Sequence, residues 1–211
     1  MKGKGILFLA FPNTGKTYLS FGMVRAGFAR LLSDEYVLAG EGKDAKAFFG
    51  MSALSPYSVR ELDIRLTLKE KVWMFFCKAR SFLLPFLFEP VIWINTTRIF
   101  PGEQRKDSTA INYLFFLERA VNSNGGLKQI DKKEAVKRLI ILTENEFPFL
   151  SNSLLQTYSC ASDDFDLSSL HAKFREIARG IAEGADKAFI YSFRIKEIKG
   201  IYEEIAAELK A

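Results

Sequence analysis

The stretch GILFLAFPNTGKTYLSF, residues 5–21, decides how the rest of the chain is read. Six apolar residues at positions 6–11 run into Pro12, Asn13, Thr14, Gly15, Lys16 and Thr17, after which a helical pattern begins. An unbroken apolar run of this length, bounded by turn residues, reads as a fully buried strand. Residues 16–26 read as a helix, and Gly27 is placed to end it in the left-handed cap conformation. The unit is therefore strand, tight loop, helix.

Residues 10–17 spell Ala-x-x-x-x-Gly-Lys-Thr, the Walker A pattern with Ala10 in the place of its first glycine. Such a loop must curl consecutive backbone N–H groups around an anion and aim a helix N-terminus at it. It must also bring a lysine to the β- and γ-phosphates and a hydroxyl to the metal. Pro12 fixes the turn and Asn13 tolerates positive φ. The expected nucleotide-binding set is Ala10, Pro12, Asn13, Thr14, Gly15, Lys16, Thr17 and Tyr18, with Thr17 as a metal ligand. The expected ligand is ATP, or another nucleoside triphosphate, with Mg2+.

A phosphate loop binds but does no chemistry by itself, and the next element supplies acid. An α-helix of about eleven residues returns the chain to the start of the sheet, and a right-handed crossover would lay RLLS, residues 30–33, parallel to the first strand. The carboxyl end of that strand would then lie beside the loop. Asp34 is expected there as a catalytic carboxylate, taking a proton from an attacking hydroxyl or orienting the metal, with Glu35 as its neighbour in the catalytic pair. Arg65, Arg98 and Arg105 are the candidates for a cation facing the transferred phosphoryl group.

Two resemblances attach to these residues. FPNTGKT is similar to the Gly-x-Pro-Asn-x-Gly-Lys-Ser loop of translation-associated GTPases, but no Asp-x-x-Gly switch or Asn-Lys-x-Asp guanine reader follows it. GKTYLSFGMVRAGFARLLSDEYVL, from Gly15 onward, resembles the loop, helix, glycine and Leu-Leu-x-Asp-Asp sequence of the HPr kinase/phosphorylase and phosphoenolpyruvate carboxykinase group. That resemblance covers residues 6–38 and implies an ATP-dependent phosphotransferase or ATPase whose phosphate acceptor, protein or small molecule, is unknown. The chain departs from the HPr kinases in having Glu35 where a second Asp is usual, no histidine ahead of the loop and no copy of their Gly-rich signature. A GTP-binding switch and a non-enzymatic nucleotide sensor working through a Phe-rich surface are the alternatives.

Composition narrows the partners. The 211 residues are 48% hydrophobic and 26% charged, in the range of a globular domain, with 20 Phe. The net charge of +5 is scattered through the sequence rather than blocked, so nucleic acid is not indicated. Cys77 and Cys160 have no metal-ligand spacing and read as reduced thiols of a cytoplasmic protein, and His171 as the single histidine argues against a Ser-His or Cys-His pair. The apolar run at residues 6–11 is too short for a secretory leader. VWMFFCKARSFLLPFLFEPVIWI, residues 72–94, is broken by charges and prolines and so reads as buried core, not a membrane span, with a membrane-surface or partner-binding role as the alternative. Self-association is left open.

The whole chain, residues 1–211, reads as one α/β P-loop nucleotide-binding domain with a mixed, largely parallel central sheet flanked by helices. Residues 36–50 read as short strands broken by Gly40 and Gly42, residues 58–82 as one helix and residues 91–95 as a buried strand. A helix capped by Asp107 or Ser108 is expected to run to Asn122, followed by a buried strand RLIILTEN at residues 138–145. Residues 149–160 then read as a short helix, with an acid-rich turn, Asp163, Asp164 and Asp166, capping the next helix. KAFIYSF at residues 187–193 reads as a late strand before a C-terminal helix.

Overall fold

The computed structural model describes residues 3–12, 14–39, 44–83, 90–120, 126–146, 152–162, 166–193 and 198–209. In chain order the elements begin with β1 (Gly5–Leu9), α1 (Lys16–Arg25), β2 (Leu38–Ala39), β3 (Asp44–Lys46), β4 (Met51–Leu54) and α2 (Pro56–Glu61). Next come α3 (Leu68–Leu83), β5 (Ile92–Asn95), α4 (Thr96–Ile99), a 3-10 turn (Gly102–Gln104) and β6 (Ser108–Arg119). The chain closes with β7 (Gly126–Ile130), α5 (Lys132–Glu146), α6 (Ser153–Ala161), α7 (Leu167–Gly184), β8 (Lys187–Phe193) and α8 (Ile198–Glu208).

An unbroken apolar run is stable in a strand only if both faces are covered. Tyr113, Leu114, Phe115, Phe116 and Leu117 of β6 meet that condition, and all five are buried. On one edge β6 runs parallel to β1, from Gly5 opposite Ile111 to Leu9 opposite Phe116, and on the other parallel to β8, from Tyr113 opposite Lys187 to Arg119 opposite Phe193. Alternation then divides the core in two. Tyr113, Phe115 and Leu117 pack with Phe189 and Tyr191 against α1 and α8. Leu114, Phe116 and Ala188 pack against Leu139 of α5 and Ala178 and Ile181 of α7. The stacked rings of Phe115 and Phe189, 5.0 Å apart, tie neighbouring strands together.

The mixed sheet flanked by helices agrees with the sequence reading, but its largely parallel character does not. Among the described residues parallel ladders join only β1, β6 and β8, whereas β2 with β3, β3 with β6, β7 with β8 and β4 with β5 are antiparallel. β4 and β5 form a separate two-stranded ladder, and β5 buries only alternate residues rather than being wholly covered. The expected parallel strand at residues 30–33 is not paired with β1. Leu31 makes instead an isolated parallel bridge to Arg105, its N–H donating to Gln104 at 2.7 Å and its carbonyl accepting from Lys106 at 2.8 Å.

Three further expectations are corrected. Residues 108–119 form the central strand, not a capped helix, because tertiary pairing decides the state of a short apolar run that suits both. Residues 138–145 lie within helix α5, whose start is capped by Asp131 accepting the Glu134 N–H at 2.7 Å. The 58–82 helix is two helices, separated where Asp63 takes a positive φ of 45°. A reciprocal capping box restarts the chain, with Glu70 accepting the Thr67 N–H at 2.8 Å and Thr67 Oγ1 accepting the Glu70 N–H at 3.3 Å. Gly40 and Gly42 lie outside the described residues.

Other local readings hold. α1 ends in a Schellman arrangement on Gly27, φ 74°, with Phe28 N–H donating to Met23 and Gly27 N–H to Val24. Asp166 caps α7 through Ser168 and Ser169, while Asp163 and Asp164 lie outside the described residues.

Gly5 marks the tightest approach in the parallel centre, where a Cβ would stand 2.2 Å from the Ala110 carbonyl oxygen. Backbone cannot give way cheaply, so Gly5→Ala should lower stability by about 1–3 kcal/mol, read as a reduced urea midpoint. An unchanged midpoint would contradict this contact.

Candidate functional site

The loop after β1 departs from ordinary helix-start chemistry in several ways at once. Gly15, at the N-cap of α1, has φ 103° and ψ 15°, which a glycine adopts without steric cost. No side chain caps the first amides of α1, and its first turn carries Lys16 with no acid. A helix start is electropositive and favours negative charge, so a lysine there is locally unfavourable and leaves the end suited to an anion. Thr14, buried, donates to the Phe11 carbonyl at 2.7 Å and holds the loop closed.

The other expected residues distribute unevenly. Ala10 is buried beneath the loop and Pro12 is exposed, while Asn13 lies outside the described residues. The Tyr18 side chain is buried with its ring 5.9 Å from that of Tyr57, so its backbone amide in the first turn is what it can offer a ligand. Lys16 makes no hydrogen bond or ion pair among the described residues, and its side chain lines the cavity described below.

The loop and the acidic pair meet directly. Thr17 Oγ1 donates to Asp34 Oδ2 at 3.3 Å, across 17 positions of sequence. Burial pushes the Asp34 carboxyl above the ordinary carboxylate range, against the opposing influence of Ser52, Thr17 and Lys16. Ser52, wholly buried on β4, sits close enough to act on Asp34 but without hydrogen-bond geometry, and Asp34 Oδ1 and Ser52 Oγ both lack a partner among the described residues. Glu35 reaches solvent, yet its carboxyl is also raised, by desolvation first and then by Asp34, with Lys16 opposing and Glu146 adding to the effect.

A cavity of about 650 Å3 runs from this point along the edge of β1, which pairs with no second strand among the described residues. It has the size of a small-molecule site, ~300–1,000 Å3. Lys16, Ser20, Asp34, Glu35 and Glu146 line its polar end, and Met23, Val24, Leu142 and Ile181 line its apolar walls. The cavity occupies the place that sequence reasoning assigned to the RLLS strand.

None of the three expected arginines lines the cavity; Arg30 and Lys106 do. Arg98 pairs with Glu70 and reaches the Arg65 carbonyl at 3.5 Å. Arg105 lies 5.0 Å over the ring of Phe49, with its Nε buried and unpartnered. Ser52, Glu146 and Lys106 carry no motif in sequence, since only long-range packing brings them near the loop. No group of three His, Cys, Asp or Glu side chains able to hold a metal occurs among the described residues. A cation here would rest on Thr17, Asp34 and its ligand's own oxygens, as Mg2+ commonly does. Compared with protein-family models, curated proteins and solved structures, the chain matches none.

Because the folded state raises the Asp34 pKa, folding binds a proton between the ordinary carboxylate value and the raised one. Stability from this group is therefore present at low pH and lost as pH rises through that window. Asp34→Asn mimics the neutral form, so its stability relative to the parent should be highest at neutral pH and the difference should shrink on acidification. Urea unfolding across pH reads this, and a pH-independent difference would contradict burial as the cause.

Proposed function

We propose that this protein binds a nucleoside triphosphate, ATP with Mg2+, on residues 10–17, and transfers or hydrolyses its terminal phosphate with Asp34 as the reacting carboxylate. On this reading the β1–α1 unit is a phosphate-binding loop and the fold a P-loop nucleotide-binding domain of the kind the HPr kinase group has. The observation that carries it is the 3.3 Å contact between Thr17 and Asp34, which brings the loop hydroxyl and the following acid to one point. The buried, unpartnered Asp34 Oδ1 supports it further, since such an atom costs stability unless a ligand or proton completes it.

Thr17 and Asp34 would hold the Mg2+, whose charge would offset that developing on the phosphoryl oxygens. Lys16 binds the β- and γ-oxygens as a point charge. The attacking hydroxyl, of water or of an acceptor in the cavity, gives its proton to Asp34 as its oxygen bonds to phosphorus and the bond to the β-phosphate breaks. A sensor without turnover is the second reading, favoured by the exposed aromatic face of α3.

With saturating ATP and Mg2+, Asp34→Asn should slow single-turnover phosphate release or transfer by ~10²-fold or more while leaving nucleotide affinity little changed. Glu35→Gln should cost less. Full activity in Asp34→Asn would overturn the catalytic role, and absence of turnover in the parent with intact binding would favour the sensor.

Binding itself is tested by fluorescent-nucleotide titration. Lys16→Ala should remove most triphosphate affinity, and Thr17→Val should weaken binding with Mg2+ but not with EDTA. Unchanged affinity in Lys16→Ala would refute the loop assignment, and competition between ATP and GTP decides the base.

A further inference from the structure

Helix α3 is amphipathic in the opposite sense to a surface helix of a globular protein, whose apolar stripe faces the core. At about 100° per residue, Glu70, Met74, Cys77 and Ser81 share one side, and this side faces the body. Met74 is the helix's buried residue, and Glu70 pairs inward with Arg98. The stripe pointing away is apolar: Leu68, Val72, Phe75, Phe76, Phe82 and Leu83. Phe75 is 70% exposed, Phe76 61% and Phe82 86%. This overturns the sequence expectation of buried core for the outer face of α3, whereas Met74, Ile92 and Ile94 of the same Phe-rich segment are buried as expected.

Charge borders the stripe on both sides. Lys69 and Arg80 lie along one flank with Trp73, 59% exposed, and Lys71 and Lys78 lie along the other. Glu70 is the only acid of α3, and it lies on the inner side. An apolar face edged by cations and an aromatic matches a helix lying in the plane of a bilayer surface. There the stripe enters the acyl boundary while lysine and arginine stems reach the headgroups. No helix among the described residues is long and apolar enough to cross a membrane, so the contact would be in-plane.

We propose that α3 docks this protein onto an anionic lipid surface. A second copy of the chain fits less well, because a two-fold contact sets the same patch against itself and would bring these cationic flanks together with no acid of α3 between them. Anionic headgroups complement the cationic flanks, and the exposed rings supply apolar area whose burial is favourable. The inference is independent of the nucleotide reading.

The test is sedimentation of the full chain with vesicles of phosphatidylcholine alone and of phosphatidylcholine mixed with phosphatidylglycerol. Binding to the anionic vesicles should be ~10-fold or more tighter and should weaken in salt. Trp93→Phe leaves Trp73 as the single tryptophan, whose emission should shift to the blue on binding. Phe75→Ser with Phe76→Ser should reduce binding ~10-fold or more. Lys69, Lys71, Lys78 and Arg80 changed to Gln should remove the preference for anionic lipid, with both variants keeping the parent's urea midpoint. No association of the parent, equal binding to both vesicle types, or binding unaffected by either variant overturns the proposal. So does a self-associated species that the Phe variant dissolves while the parent ignores vesicles, which would make the face a protein interface.

Discussion

The parallel pairing of β1 with β6 is the constraint on which the remainder of this structure depends. It sets the end of β1 beside the middle of a strand buried on both faces, so the loop that follows emerges beside the buried centre of the sheet. Gly5 allows the approach, donating its N–H to Asn112 Oδ1 at 3.0 Å where a side chain would strike the Ala110 carbonyl. Asn112 in turn donates to Asp186 ahead of β8, linking β6 to the starts of β1 and β8. A loop on such a scaffold can hold uncapped amides, because burial of Phe115, Phe116 and Phe189 contributes about 1.5–3 kcal/mol for each ring.

The same neighbourhood collects several local conflicts. A lysine opens a helix, a half-buried carboxyl has one oxygen buried without a partner among the described residues, and a wholly buried serine likewise lacks one. Each is unfavourable taken alone, and such violations are expected to concentrate at functional sites. They also complement one another, since the Lys16 charge favours ionised Asp34 and Glu35, whose burial works against it. An anion with a divalent cation would satisfy the helix start, the lysine and the carboxylate together.

Two surfaces thus have different physical characters. The cavity at the edge of β1 is open to solvent on one side and is lined by both charged and apolar residues, which suits a small molecule with a charged group. The outer face of α3 is convex, apolar and edged with cations, which suits an extended layer. Neither depends on the other for its stability, because the inner side of α3 is anchored by Met74 and by the Glu70–Arg98 pair.

Features written over a few residues were legible in sequence. The strand, loop and helix of residues 5–25, the Gly27 cap, the Asp166 cap and β8 follow from local spacing, whereas Thr17 and Asp34 meet although the crossover pairing expected to bring them together does not form. Two capping signals, Asp131 and the Thr67–Glu70 box, were also present locally but were outweighed by the apolar runs beside them. What tertiary structure alone decided was which edges and faces meet. The apolar runs at 113–117 and 139–142 suit a strand or a helix equally, and one became the sheet's centre because β1 and β8 pair with it, while the other became a helix against α7. Leu31 bonded to Gln104 and Lys106 instead of β1, opening the cavity, and α3 turned its rings outward because its inner side was taken by Met74 and Glu70. Capping and periodicity act within a turn or two of chain, so sequence carries them; pairing and burial are settled between segments a hundred residues apart, where no local pattern reaches.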